Sequence, residues 1–324
     1  MTWTARYLPP SADIWQGRAD SPNHSCFFQV MQLLDLQKEI PPHHNLAMAI
    51  IGFNCDEGIR RNLGRPGAVE GPTAIRAVLA KLPIHRHDVI CYDAGDVTCN
   101  DNNLEDAQAA LGEVVFTLMQ HGIIPIVMGG GHELAWGHFQ GIAKKFPTEN
   151  LGIINVDAHF DMRSLLPDNK GSSGTPFLQI AEAHNRANRR FDYNCIGIQN
   201  TGNIPQLFTT AKNFQTQIVY ADDIQQGDTQ KLMHLVNHVI YYNQVIYLSL
   251  CLDVFASAYA PGVSAPQALG VTPWQIIPSV RKLAESGKVI SYDIAELSPK
   301  YDIDLRTTKL AANLIYEIIH HHKM

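Results

Sequence analysis

The sequence predicts an α/β fold: a mostly parallel sheet with helices on both faces. Three observations point there. Apolar runs of strand length, at residues 123–128, 151–154 and 244–250, alternate with segments of helical spacing. No internal repeat or low-complexity linker interrupts that alternation, which is the pattern of βα units rather than of hairpins. With 324 residues and 45% hydrophobic side chains, the chain can bury the large core such a sheet needs.

Residues 1–46 carry mixed signals and read as an extension packed on a single domain spanning 1–324, with one amphipathic stretch, 27–36, patterned as a helix. Residues 47–53 form an apolar strand, followed by a Gly/Arg-rich loop, 54–67. Gly71-Pro72 opens a helix over 73–82, because proline suits the first helical turn. A strand over 89–93 ends at Ala94-Gly95-Asp96, and residues 103–121 have helical spacing through Leu104, Ala107, Leu111 and Leu118. The buried strand 123–128 breaks at Gly129-Gly130-Gly131, and His132 and Glu133 then open a helix to 142. Strand 151–154 precedes the polar stretch 155–161. A Gly/Ser turn, 168–175, leads into a helix over 177–188. Strands follow at 195–198 and 217–220, a helix at 229–241 and the strand 244–250. The last elements are a helix at 273–286, a strand at 288–294 and a helix at 308–322. Its final turn holds His320-His321-His322, where solvated cationic side chains suit the helix dipole.

Composition excludes several classes. The formal charge is −6 with no dense basic run, which argues against a nucleic-acid surface. No apolar run approaches the ~20 residues that span a bilayer. The first residues, Met1 to Tyr7, lack the apolar core of a signal peptide. Six cysteines with no Cys-x-x-Cys pair suit a reduced, cytoplasmic protein.

Four segments share one design, an apolar strand with ligand-type residues directly after it. They end in Gly131-His132-Glu133, in Asp157-Ala158-His159-Phe160-Asp161, in Cys251-Leu252-Asp253 and in Glu296. On an extended chain side chains alternate, so Asp157, His159 and Asp161 are expected to face one way, as are Cys251 and Asp253. In a parallel sheet covered on both faces, the site lies beyond the carboxyl ends of the strands, and all four segments reach that edge. Carboxylates with a minority of imidazoles favour Mn²⁺ or a similar hard ion over structural zinc. The donors outnumber what one open ion takes, so two ions about 3.5–4 Å apart are expected, activating a bridging water as hydroxide.

These motifs, in this order from about Gly52 onward, resemble the ureohydrolases, the arginase–agmatinase–formiminoglutamase family. The signatures are Gly-Gly-Gly-His-Glu, Asp-Ala-His-Phe-Asp, Asp253 with Ala260-Pro261-Gly262, and Glu296-Leu297-Ser298-Pro299. The resemblance implies a three-layer α/β/α sandwich with two Mn²⁺ ions per subunit. One ion would take His132, Asp157 and Asp161; the other Asp157, His159 and Asp253, with Asp157 bridging. Glu296 matches the carboxylate that meets the substrate's cationic nitrogen. Cys251 departs from the family, which mostly carries a bridging aspartate there. As a thiolate it keeps one negative charge and softens the site; otherwise it is an inert buried thiol beside a weakened or single-ion site.

Within the family, Ser172-Ser173-Gly174-Thr175, Arg163, Trp15-x-Gly17-Arg18-x-Asp20 and Arg60-Arg61-Asn62-x-Gly64-Arg65 are most similar to formimidoylglutamases. The expected reaction is hydrolysis of N-formimino-L-glutamate to L-glutamate and formamide, in histidine degradation, by metal-bound hydroxide attacking the formimino carbon. Arg163 is expected to clamp a substrate carboxylate, with Thr175, Asn200 and Arg65 as further substrate contacts, and Asp161 or Glu296 to relay the proton. The expected partner is this small molecule, with a homo-oligomer possible. Two alternatives stand beside it: a guanidino-substrate amidinohydrolase, disfavoured because arginases carry a histidine in the turn after the Asp-Ala-His motif where this chain has Ser172-Ser173-Gly174-Thr175, and a catalytically silent metal-binding homologue, which Cys251 keeps open.

Overall fold

Ten strands among the described residues join one sheet in the computed structural model, which describes residues 3–227 and 229–323. Met1 and Thr2, part of the leader reading above, lie outside the described residues. In chain order the strands are β1 (Tyr7–Leu8), β2 (Gln32–Leu33), β3 (Leu46–Asn54), β4 (Val89–Thr98), β5 (Ile123–Met128), β6 (Leu151–Val156), β7 (Asp192–Ile198), β8 (Gln217–Tyr220), β9 (Val245–Cys251) and β10 (Val289–Ala295). Their spatial order is β1-β4-β3-β5-β10-β9-β6-β7-β8, with β2 also on β4. Every pairing is parallel except β1 on β4.

The apolar runs become strands because both faces of this sheet are covered, and a strand buried on both faces needs a continuous apolar run. Alternation then divides each strand between two cores. Ile126, Met128, Ile154 and Val156 join one core with Leu79 and Ile315. Val127, Ile153, Leu111 and Ile142 join the other. The helices Gly71–Leu79, Pro273–Glu285 and Arg306–His321 pack together around the first core, and Leu104–Gln120, Leu134–Lys145 and Pro176–Arg186 around the second. The result is helix, sheet, helix, as expected.

Register sets the site. β5 and β6 are consecutive along the sheet-forming chain, yet β10 and β9 lie between them. Ile294 aligns with Met128, Ala295 with Cys251, and Leu250 with Val156. Four neighbouring strands therefore end at one level, and the residues after them meet at one sheet edge.

Three local expectations change. The stretch 27–36 is helical only over Phe27–Val30; Met31 is extended, and the chain gains sheet bonds to β4, with Leu34 N–H donating to Asp93 O at 2.8 Å. β4 does not stop at Asp93 but continues to Thr98 through Gly95. Gly95 has φ +81, and an added Cβ would lie 2.1 Å from Leu8 O, so glycine is what admits β1 alongside. The closing histidines are not uniformly solvated. His322 is buried, its Nδ1 lies 2.7 Å from Tyr292 Oη, and burial pushes its pKa down to about 4.

Candidate metal centre

The glycine run after β5 brings His132 back over the strand ends. Gly129 and Gly130 have φ +79 and +71. A Cβ on Gly130 would lie 2.9 Å from the carbonyl oxygens of both Phe53 and Cys55. After β6 the convergence is also made by a turn. Asp157, His159 and Asp161 do not share a face through strand alternation, because β6 ends at Val156 and Asp161 has φ +48. Glu296, just past β10, has φ +73. Left-handed backbone at a non-glycine residue is costly, and Asp161 and Glu296 both adopt it beside the carboxylate cluster.

The donors converge closely. His132 Nδ1 lies 2.8 Å from Asp157 Oδ2 and 3.0 Å from Asp161 Oδ2. His159 Nδ1 lies 3.0 Å from Asp253 Oδ2 and 3.5 Å from Asp157 Oδ1. Two sets of donor atoms lie within 4.8 Å of one another: His132, Asp157 and Cys251, and Asp157, His159 and Asp253. Asp157 belongs to both. Its position is held by the His159 N–H at 2.7 Å and the Asn155 amide at 3.2 Å. Asn203 in turn accepts the Phe160 N–H at 3.0 Å and pins the turn between the two ligand sets.

Among the described residues, three buried polar atoms in this cluster have no hydrogen-bond partner: His132 Nδ1, Asp253 Oδ1 and Glu296 Oε2. The electrostatics carry the same signature. Burial opposes ionisation of Asp157, but the facing imidazoles outweigh it and hold its carboxyl below the ordinary range. Burial, then the Asp157 charge, pushes Asp161 up to about 6. Burial, then Asp253, raises Glu296 well above the usual range, and burial with Asp157 and Asp253 does the same to the Cys251 thiol. A crowd of buried acids with unpartnered lone pairs is the environment that divalent cations relieve. The residues present therefore fit a metal cluster.

A cavity of ≈ 320 Å³ opens over these groups, lined by His159, Asp161, Cys251, Asp253 and Glu296 at its floor and by Asn62, Arg65, Arg163 and Ser173 above. A larger hollow of ≈ 960 Å³ lies near the start of β4, at the other end of the strands, and no carboxylate lines it.

The sequence profile of the arginase family matches residues 46–321. This chain belongs to the arginase family. The formimidoylglutamase of Legionella pneumophila (strain Lens) is 44% identical over 318 residues, spanning 97% of this chain and 98% of that one. The formimidoylglutamase of Geobacillus thermodenitrificans is 40% identical over 320 residues, 97% of each chain. Among solved structures, Trypanosoma cruzi formiminoglutamase with Mn²⁺ superposes with TM-score 0.77 at 28% identity, covering 85% of this chain and 92% of that one. Formimidoylglutamase from Bacillus subtilis, at 19% identity, shares the fold with TM-score 0.80 over 94% of this chain and 92% of that one.

The expected substrate contacts fare differently in this arginase-family protein. Arg163 is exposed, lines the cavity, and among the described residues its guanidinium makes no hydrogen bond or ion pair. Gly174 makes room for it, since an added Cβ would lie 2.9 Å from Arg163 Cδ. Arg65 also lines the cavity, but it braces two loops. It donates to Val263 O at 2.6 Å and Ser264 O at 3.0 Å, and stands 4.3 Å over the Tyr301 ring. Thr175 and Asn200 do not line the cavity. Thr175 is buried and donates to Ser172 O at 3.0 Å within the turn. Asn200 opens a short 3₁₀ turn, and its neighbours Gly202 and Asn203 reach the wall instead.

Sequence reasoning passed over the buried polar residues behind the cluster: Asn155, Ser249, Asp293 and His138. The signal was there. Ser249 and Asp293 each interrupt an apolar strand, Leu248-Ser-Leu250 and Tyr292-Asp-Ile294. A polar side chain inside a strand buried on both faces needs a partner, and so marks a network.

Proposed function

We propose that this protein hydrolyses N-formimino-L-glutamate to L-glutamate and formamide. The observation that carries the reading is one cavity holding three things at once: the acidic cluster at its floor, Glu296 with an unpartnered oxygen, and an uncommitted arginine at its wall. The formimidoylglutamase relatives, similar over nearly the whole chain, support the same activity.

His132, Asp157, Asp161 and Cys251 would hold one ion, and Asp157, His159 and Asp253 the other, with Mn²⁺ as the expected metal. Such ions lower the pKa of a shared water and so supply hydroxide near neutral pH. The protein's own groups do the rest. Among the described residues, Arg163 is the wall cation free to pair with a substrate carboxylate, and a planar fork suits that carboxylate. Glu296 Oε1 accepts the His132 backbone N–H at 3.0 Å, which fixes the carboxylate and leaves Oε2 to accept from the cationic formimino nitrogen. Water adds through oxygen to the formimino carbon, the bond from that carbon to the glutamate nitrogen breaks, and that nitrogen takes up a proton. Asp161 and Glu296 are the carboxyls placed to move that proton. We infer a role in histidine breakdown in the cytoplasm, and a single catalytic unit on which residues 1–46 pack. The N-terminal strands β1 and β2 on β4, and the buried Trp15 donating to Asp93 at 2.9 Å, support that packing.

The test is turnover with added Mn²⁺ on three substrates. Formamide release from formiminoglutamate is expected. Urea from agmatine or arginine at comparable kcat/KM would instead assign an amidinohydrolase. Full metal loading with no turnover of any of the three would assign a silent homologue.

A further inference from the structure

We propose that Ser249 and Asp293 are positioning residues that hold the His132 imidazole in the tautomer whose Nδ1 lone pair faces Asp157 and Asp161. The inference rests on the metal reading above and concerns residues that no part of that reading uses.

The register of the sheet makes Ser249 and Asp293 direct neighbours across β9 and β10. The two-residue repeat of a strand then sets Tyr247, Ser249 and Cys251 on one face of β9, so a polar row runs from the cluster floor into the core. Ser249 donates its hydroxyl proton to Asp293 Oδ1 at 2.7 Å. A serine has one proton to give. Towards His132 Nε2, 2.8 Å away, Ser249 can therefore only accept. The ring proton must sit on Nε2, and the neutral ring then carries its lone pair on Nδ1. That is the atom found 2.8 and 3.0 Å from two carboxylate oxygens with no hydrogen bond to either. A lone pair facing two acceptors is repulsive unless a proton or a metal ion lies between them.

Asp293 cannot turn away from this task. Tyr247 Oη donates to its Oδ2, and His138 Nδ1 lies 2.8 Å from the same oxygen. His132, His138, Tyr247, Ser249 and Asp293 are all buried. Burying such a row in otherwise apolar strands is expensive unless every group is satisfied, and its end point is a ligand nitrogen. The other imidazole lacks this support. His159 is part-exposed, and among the described residues its Nε2 meets only the Gln267 amide, at 3.5 Å. The relay should therefore act on the ion held by His132 and spare the ion held by His159.

The experiment is Mn²⁺ titration of the full chain, followed by the electron paramagnetic resonance of free Mn²⁺, with the melting temperature of each metal-free variant as the folding check. Wild type is expected to bind two ions. Ser249→Ala should weaken one of them by about 10–100-fold, the usual effect of losing an outer-shell partner, and leave the other unchanged. Asp293→Asn should weaken the same ion at least as much. Its amide can donate to Ser249, which turns the serine proton towards Nε2 and moves the ring proton to Nδ1. Adding Ser249→Ala to Asp293→Asn removes that misdirected proton, so the double variant should bind no more weakly than Asp293→Asn alone. Losses that simply add would mark a general packing role and overturn the proposal, as would unchanged affinity in Ser249→Ala or equal losses at both ions. Wild type that takes up no Mn²⁺ would instead overturn the metal reading, and this inference with it.

Discussion

Arg163→Ala tests the substrate reading most directly, because the side chain has no other work in the fold. Its guanidinium makes no hydrogen bond or ion pair among the described residues, and it is exposed at the cavity wall. Truncation therefore leaves no buried group stranded, and the expected change in stability is within about 0.5 kcal/mol, as for other surface substitutions. All of the effect should appear in substrate handling. A hydrogen bond to a charged group contributes about 1.5–3 kcal/mol, and a forked pair makes two. Exposure screens the pair, so a total of about 2–3 kcal/mol is reasonable. At 1.36 kcal/mol per tenfold, that is a loss of about 30- to 150-fold in kcat/KM for formiminoglutamate. The carboxylate clamp is made before and during the reaction alike, so most of the loss should lie in KM. Arg163→Lys keeps the charge without the fork and should fall between the two. Steady-state kinetics with a parallel thermal melt decide the matter. A kcat/KM within about threefold of wild type, at unchanged melting temperature, would show that the substrate carboxylates bind elsewhere.

Three further outcomes follow from the same structure. Cys251→Ser should lower bound Mn²⁺ from two ions per chain towards one, while Cys251→Asp restores two; metal analysis after dialysis reads both, and full occupancy in Cys251→Ser would remove the thiol from the ligand set. Arg65→Ala should lower stability rather than catalysis alone, by about 1–3 kcal/mol for its two lost carbonyl contacts and its ring stacking, read as a shift of the urea midpoint; an unchanged midpoint would free Arg65 for a purely substrate-binding role. His322 has a folded pKa of about 4, pushed down by burial and then by Arg86. Unfolded, it titrates near ~6.5, so its contribution is complete above that pH and is lost as the pH falls towards about 4. The loss reaches roughly 3 kcal/mol, and His322→Gln should flatten the stability profile across that window relative to wild type; parallel slopes would refute the assignment.

Much of the architecture was legible because burial on both faces writes strands as unbroken apolar runs. β5 and β9 were readable almost to the residue for that reason. The cluster was legible because its donors sit directly after such runs. What could not be read was set by partners distant in sequence. Residues 27–36 have helical spacing, yet after Val30 the chain leaves the helix to pair with β4, and nothing local to 31–33 announces that strand. Asp157, His159 and Asp161 converge through a left-handed turn rather than through alternation, so their convergence was foreseen with the wrong local geometry. Arg163 and Arg65 look alike in sequence, and only the carbonyls of Val263 and Ser264, some 200 positions away, separate a free arginine from a committed one. Thr175 lies in a motif that aligned with the family, but its hydroxyl turns inward to shape the loop.

The cluster also explains why polar residues lie so deep in this sheet. Asp157, Asp161, Asp253 and Glu296 crowd one edge with two imidazoles and no buried lysine or arginine among the cavity-lining groups. Each carboxylate raises the cost of ionising the next, and two of them, Asp161 and Glu296, also hold left-handed backbone. An arrangement that unfavourable would relax if its surroundings were soft. The surroundings are not soft: the four strands beneath are locked in register, and Asn155 and Ser249 hydrogen-bond to Asp157 and His132 from below. The rigid sheet and these buried hydrogen bonds thus keep the donors converged at one edge. On this view the polar row in the core is not an imperfection in packing. On the proposed metal reading, it is the part of the fold that holds the ligand set in place.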